Sequence, residues 1–282
     1  MSLAAFREFL RRFRRNRPAM AGLIVLAVIT AVALAAAIVS PGDPWEMVAQ
    51  PFLWPGDDAA YPLGTDMMGR SLAAGLVHGA TVSLLIGLTA TAMAVVIGVG
   101  VGALAGYYGG RVNDALMRVT ELFQTLPPFI FAIVVVAVLQ PSVRTVVLAI
   151  GLVSWPAVAR LVRGEFIALR EREFVLAGIA LGMSDARIIV TQILPNALPA
   201  IIVTASLNVA TAILLEAGLS FLGLGDPNVM SWGTIIGAGR DALRTAWYIA
   251  ALPGVAILIT VLAVNLVGDG LNDALNPRLR NR

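Results

Sequence analysis

The chain has 282 residues, of which 59% are hydrophobic and 13% are charged, and its net charge is +3. A soluble domain carries roughly 25% charged residues, so this composition excludes an ordinary soluble enzyme and a disordered chain and indicates several membrane spans. The chain has no Cys, which excludes a disulfide framework, and a single His, which excludes a multi-His metal site. Its net charge is small and dispersed, which argues against a nucleic-acid partner.

Six apolar stretches approach or exceed the roughly 20 residues that a helix needs to cross the hydrocarbon core of a bilayer. They predict an all-α membrane protein with six transmembrane helices. The fourth stretch reaches spanning length only if its helix continues past Arg160, whose long side chain can extend to the membrane interface. In chain order the stretches are Pro18–Gly42, Ser71–Gly110, Leu122–Val143, Thr145–Ala159, Ile188–Leu215 and Thr245–Gly268.

The distribution of arginine predicts the orientation of these spans. With the N-terminus inside, only four of the 20 basic residues fall in outer segments, namely Arg70, Arg144, Arg240 and Arg244. Basic loops resist translocation, so both termini are expected to be cytoplasmic. An even number of spans is consistent with that arrangement.

The second predicted helix carries glycine at every fourth position over its later part. Residues spaced in this way share one helix face, and small residues there let another helix backbone approach closely. The pattern predicts helix packing rather than chemistry. The glycines concerned are Gly98, Gly102, Gly106 and Gly110.

Two prolines and one glutamate in the predicted spans lead to two further predictions. Pro127 and Pro128 are expected to break or kink the third helix, because proline lacks a backbone N–H and clashes with the preceding turn. Glu216 falls at the outer end of the fifth helix, where a carboxylate is expected to be hydrated; deep in lipid it would suggest a functional site.

Nothing in the sequence indicates catalysis by this chain. No Ser/His/Asp set or paired carboxylates stand out, and with no Lys the chain cannot carry a standard phosphate-binding loop. We therefore expect no catalytic, cofactor-binding or metal-binding residue. If ATP drives the process, another polypeptide must hydrolyse it.

The charged stretch Arg160–Asn196, named the hairpin segment, separates the fourth and fifth spans. Its pattern predicts a helix over Glu165–Leu181, a stop at Gly182, an N-cap at Ser184 with Asp185 in the first turn, and an end at Pro195. The segment can be an inert amphipathic loop or a contact surface. A DNA-binding helix-turn-helix is disfavoured, because its acidic residues nearly cancel its arginines.

From Leu176 onward the hairpin segment resembles the EAA loop of binding-protein-dependent ABC importer permeases. Ala177, Gly182 and the pair Leu194-Pro195 match that pattern in register. Leu176, Gly178 and Gln192 replace its Glu, second Ala and Ile, as is typical of the dipeptide, oligopeptide and nickel branch of the family.

Further stretches resemble the same branch, and the separate N-terminal tail and first helix fit its C-type subunit. The resemblance implies a type I importer fold with an N-terminal region over residues 1–78, a transport domain over 79–268 containing the hairpin segment, and a cytoplasmic tail over 269–282. The stretches are Tyr61–Arg70, Gly79–Gly87, Leu219–Pro227 and Asn265–Arg280.

The resemblance also implies a function, which is import of dipeptides or oligopeptides across the bacterial cytoplasmic membrane. The expected partners are a homologous second permease, two cytoplasmic ATPase domains that hold ATP and magnesium, and an extracytoplasmic binding protein. The hairpin segment is then the coupling helix that contacts the ATPase. The residues expected to form this contact are Glu173, Phe174, Leu176, Ala177, Gly178, Leu181, Gly182, Ser184 and Asp185.

Two alternatives remain open at this point. The same type of importer can carry nickel or another small solute, and no residue in the sequence identifies the cargo. An ion-driven secondary carrier is the alternative from another class, although such a carrier has no evident need for the hairpin segment.

Overall fold

The computed structural model describes residues 3–40 and 42–275, where the regular structure is helical apart from two isolated antiparallel bridges. Lipid offers the backbone no hydrogen-bond partner, so apolar stretches of this length adopt helices, which satisfy their own N–H and C=O groups. The helices are α1 (Leu3–Arg15), α2 (Arg17–Leu34), α3 (Ala36–Val39), α4 (Leu72–Tyr108), α5 (Gly110–Gln124), α6 (Pro128–Leu139), α7 (Val143–Arg170), α8 (Glu173–Ala180), α9 (Asp185–Ile188), α10 (Leu194–Phe221), α11 (Trp232–Gly239) and α12 (Tyr248–Leu275).

The predicted all-α membrane architecture is confirmed, with five continuous spans and one broken span in the described ranges. The continuous spans are α2, α4, α7, the run Asp185–Phe221 and α12, while α5 and α6 together form a pair bent by 81°. The bend lies at Pro127 and Pro128, as the sequence predicts. The fourth span does continue past Arg160, because α7 is 28 residues long and ends at Arg170. The predicted tail over 269–282 is described only to residue 275, where it continues α12, and its remainder lies outside the described residues.

A very close helix contact joins α4 to α7. A Cβ atom added at Gly98 would lie 2.5 Å from Val158 Cβ, and one added at Gly106 would lie 2.6 Å from Phe166 Cβ. Gly102 faces α7 in the same way. Gly110 does not share this contact: it begins α5 with a positive φ, and open space surrounds it. Three of the four glycines in the predicted seam therefore allow the two backbones to approach each other.

Glu216 is 1% exposed, so the expectation of a hydrated helix end is wrong. Its Oε1 accepts a hydrogen bond from Ser220 Oγ at 2.7 Å, and its Oε2 accepts one from Ser83 Oγ of α4 at 3.1 Å. Ser83 Oγ in turn accepts the backbone N–H of Trp232 at 3.2 Å. The carboxyl group is buried because α11 folds back over the C-terminal part of α10, with Trp232 and Ala217 in one hydrophobic cluster.

A second polar contact fixes the loop between α10 and α11 to the start of α7. Asp226 Oδ2 accepts the backbone N–H of Val143 at 3.0 Å, and Asp226 Oδ1 accepts the backbone N–H of Asn228 at 2.9 Å. Partial burial raises the pKa of the Asp226 carboxyl, but the hydrogen bonds from Asn228 and Val143 outweigh that effect and lower the pKa below its ordinary value of 3.8.

Replacing Gly102 with alanine is expected to lower the stability of the protein. The new Cβ would lie 2.8 Å from Val162 Cβ, and overpacking of this kind costs about 1–3 kcal/mol. Gly100 is the matched control, because its added Cβ meets nothing within 4 Å, and alanine is a better helix former than glycine by about 1 kcal/mol. Thermal melting of detergent-solubilised protein should therefore fall for G102A and hold or rise for G100A. Equal melting temperatures for the two variants would contradict the close packing.

The Asp226 contact predicts a pH dependence. Because the pKa is lower in the folded state, the stabilisation is present above the unfolded-state pKa and is lost as the pH falls through the folded-state pKa. We expect D226N to melt below wild type at neutral pH, with the difference shrinking as the pH drops below about 4. D241N is the control, since the Asp241 side chain is 77% exposed. A difference that is constant with pH would contradict the role of the Asp226 charge.

Candidate functional site

The hairpin segment contains a helix break that the sequence does not reveal. The predicted single helix over Glu165–Leu181 is instead two helices, because α7 ends at Arg170 and α8 starts at Glu173. Arg172 adopts an extended backbone at the start of α8, and its C=O accepts the N–H groups of Val175 and Leu176. Glu173 then lies in the first turn of α8, where the helix dipole favours an acidic side chain.

The turn of the hairpin segment lies at Gly182, as the sequence predicts. Gly182 has a φ of +74°, which glycine adopts without the steric cost that a Cβ would bring. Its N–H donates to the C=O of Ile179 at 2.9 Å, and the N–H of Met183 donates to the C=O of Gly178 at 3.1 Å. These two bonds form a Schellman motif, which gives the turn a defined geometry. Ser184 occupies the predicted cap position with an extended backbone, but its hydroxyl makes no capping bond.

The second helix of the hairpin segment does not end at Pro195, contrary to the prediction. A π-helical stretch over Ile189–Ile193 follows α9 and leads directly into α10, whose first turn contains Pro195. The wider π turn changes the hydrogen-bond register, and the first turn is the one helical position that tolerates proline well. The Asn196 side chain donates to the C=O of Gln192 at 2.7 Å. The hairpin segment is therefore continuous with the fifth span.

Contacts with α4 and with the end of α7 hold α8 and α9 of the hairpin segment in place. Tyr107 Oη donates a hydrogen bond to Asp185 Oδ1 at 2.7 Å, and the Arg170 guanidinium lies 5.9 Å from the centre of the Tyr107 ring. Val175 and Ile188 are buried in the same hydrophobic cluster as Tyr107. Sequence reasoning did not identify Tyr107; the available signal was an aromatic hydroxyl at the end of a span, where such a side chain commonly finds a polar partner.

Three large apolar side chains of α8 and one at its C-cap are exposed. These four, named the hairpin patch, are exposed by 39%, 54%, 49% and 83% for Phe174, Leu176, Ile179 and Leu181 respectively. Apolar groups exposed on a charged surface element make a candidate interaction surface.

The other predicted contact residues lie on α8, in the turn that follows it and at the start of α9. Glu173, Ala177, Gly182, Ser184 and Asp185 are exposed, and Asp185 accepts a hydrogen bond from Tyr107. Gly178 is buried, and a Cβ there would lie 3.2 Å from the sulfur of Met183. Gly178 therefore allows the turn to close on its own chain and does not face outward.

Two protein families match this chain. Residues 98–281 match the binding-protein-dependent transport system inner membrane component family, and residues 5–62 match the N-terminal transmembrane domain of oligopeptide transport permease C.

Similar proteins cover almost the whole chain. It is 40% identical over 281 residues to the di/tripeptide transport system permease protein DppC of Pseudomonas aeruginosa, covering 98% of this chain and 93% of that protein. It is 37% identical to the dipeptide transport system permease protein DppC of Alkalihalophilus pseudofirmus, with 99% and 92% covered. Among solved structures, an inward-facing MetNI methionine ABC transporter matches with a TM-score of 0.60 at 19% identity, covering 72% of this chain and 96% of that one.

Replacing Tyr107 with phenylalanine is expected to loosen the hairpin segment without unfolding the spans. Loss of a hydrogen bond to a charged group corresponds to roughly a tenfold or larger change in a local opening equilibrium. Amide hydrogen exchange over residues 173–188 should speed up by about that factor. Y108F is the control, because Tyr108 neighbours Tyr107 but is 47% exposed. Identical exchange in both variants would show that the Tyr107–Asp185 bond does not hold the segment.

Proposed function

This chain belongs to the family of binding-protein-dependent transport system inner membrane components, and from that membership we propose that it is the permease subunit of an ATP-driven importer of short peptides. It is a membrane component and not an enzyme. The observation that carries the proposal is the hairpin patch, an exposed apolar surface on a firmly held element. A permease that depends on a separate ATPase needs such a surface.

The peptide cargo is supported by the names of the relatives. Two proteins that match this chain over more than nine-tenths of their length are a di/tripeptide and a dipeptide permease. We propose that this chain carries cargo of the same class, dipeptides and somewhat longer oligopeptides.

The importer that we propose contains further subunits. A homologous second permease forms a heterodimer with this chain, two ABC ATPase domains bind the cytoplasmic face, and an extracytoplasmic binding protein delivers the peptide. ATP and magnesium belong to the ATPase subunits. The complex lies in a bacterial cytoplasmic membrane, with both termini of this chain and its hairpin segment on the cytoplasmic side, as the positions of its arginines favour.

We propose that the hairpin segment transmits force from the ATPase to the spans. The hairpin patch packs into a groove on the ATPase, and closure of the ATPase pair then displaces the segment. Tyr107 ties this segment to α4, and the helix after Ile188 runs directly into α10. Displacement is therefore passed to two spans, which can rock between two packings of the bundle.

Replacing Leu181 with glutamate tests the hairpin patch. Leu181 is 83% exposed, so the change does not disturb the core of this chain, but it places an unpaired charge in the proposed interface. An unpaired buried charge costs several kcal/mol, so peptide uptake and ATP hydrolysis stimulated by the binding protein should each fall by about tenfold or more.

The conservative variant L181M is the control, because leucine and methionine have similar volumes. Both variants should insert into the membrane in equal amounts, which quantitative immunoblotting of membranes can verify. Wild-type uptake by L181E would refute the contact between the hairpin patch and an ATPase.

A further inference from the structure

A cavity of about 540 Å³ lies between α5 and the C-terminal half of α7, outside the patch on α8. Its volume is in the range of small-molecule sites. Its lining is dominated by charged and amide side chains from both helices, and the space is named the charged cavity. These side chains belong to Asn113, Asp114, Arg118, Glu121, Arg160 and Arg163.

Charges of both signs line the charged cavity without neutralising one another. Asp114, Arg118, Glu121 and Arg160 form no ion pair with any residue in ranges 3–40 and 42–275. The amide of Asn113 links the two helices, because its oxygen accepts from Arg163 Nε and its nitrogen donates to Asp114 Oδ1 at 3.0 Å. The guanidinium groups of Arg118 and Arg160 and the carboxylate of Glu121 are exposed and free of ion pairs within the described ranges, so they are accessible to a ligand.

The position of the charged cavity favours a transport role over a solvated helix end. One side of its lining is α5, the first helix of the broken span α5–α6. Discontinuous spans of this kind commonly form substrate sites in transporters. Arg160 and Arg163 stand at the start of the hairpin segment, so the charged cavity lies beside the segment that we place on the cytoplasmic side.

We infer that the charged cavity binds the two charged ends of a short peptide in transit, the carboxylate at Arg118 and Arg160 and the ammonium at Glu121. The inference rests on the proposed function and deepens it by identifying residues that contact cargo. An anionic lipid headgroup would satisfy the arginines but would be repelled by Asp114 and Glu121. A zwitterionic peptide satisfies both signs, and recognition of its termini is independent of its side chains, which suits a carrier of varied peptides.

The test uses the whole transporter, with this chain and its partner subunits, reconstituted in liposomes with the binding protein. The probe is a tripeptide with free termini and a diazirine side chain, photolysed during ATP turnover, and its adducts are located by mass spectrometry. Adducts are expected on α5 within 113–121. Removal of both arginines in R118Q/R160Q should reduce their yield by at least about tenfold, since the loss of even one hydrogen bond to a charged group corresponds to roughly that factor.

Two further variants keep the test decisive. R118K/R160K preserves the charges and should retain most of the adducts, so it separates charge loss from misfolding. R240Q/R244Q removes two arginines from the loop between α11 and α12 and should leave the yield unchanged.

The outcomes distinguish this inference from the proposed function. Uptake of the tripeptide with no adduct within 113–121, or with a yield unchanged in R118Q/R160Q, would overturn the charged cavity as a cargo site and leave the peptide importer intact. Phospholipid adducts in place of peptide would overturn it too. A wild-type complex that imports no peptide would refute the proposed function itself.

Discussion

The close packing of α4 against α7 is the constraint on which the rest of the structure depends. Lipid tails are as apolar as the side chains of the helices, so burial against lipid brings no advantage, and association relies on close backbone approach. Gly98, Gly102 and Gly106 supply it. The same contact brings Tyr107, at the end of α4, beside Arg170, at the end of α7. The hairpin segment is thus attached where these two helices are already held together.

The contacts around Glu216, by contrast, are polar. Glu216 joins α10 to α4 through Ser83, and Ser83 also receives the backbone N–H of Trp232 in α11. In an environment without water, each of these groups would be costly to leave unsatisfied, so the set stabilises the molecule only when it is complete. The bundle therefore has an apolar, glycine-based contact between α4 and α7 and a hydrogen-bonded contact around Glu216.

Local signals in the sequence are sufficient to predict the spans, the break at Pro127 and Pro128, and the turn at Gly182. Each of these depends on hydrophobicity or backbone conformation within a few residues. The burial of Glu216 is not predictable in this way, because it requires α11 to fold back across α10. The Tyr107–Asp185 bond joins residues 78 positions apart, beyond any local pattern. Pro195 does not end its helix, because a π-helical stretch before it places it in a first turn, where proline is tolerated.

The uninterrupted run from Asp185 to Phe221 has a mechanical consequence. It contains 37 residues, which at about 1.5 Å per residue makes a rod roughly 55 Å long. Its first end, at Asp185, follows the turn after α8, and its last turns, before Phe221, contain Glu216. A lever of that length, tilted by about 10° around its midpoint, shifts its two tips in opposite directions by roughly 5 Å each. Opposite faces of the bilayer can therefore move in antiphase through a single piece of backbone, whose points of possible bending are the π-helical stretch and Pro199.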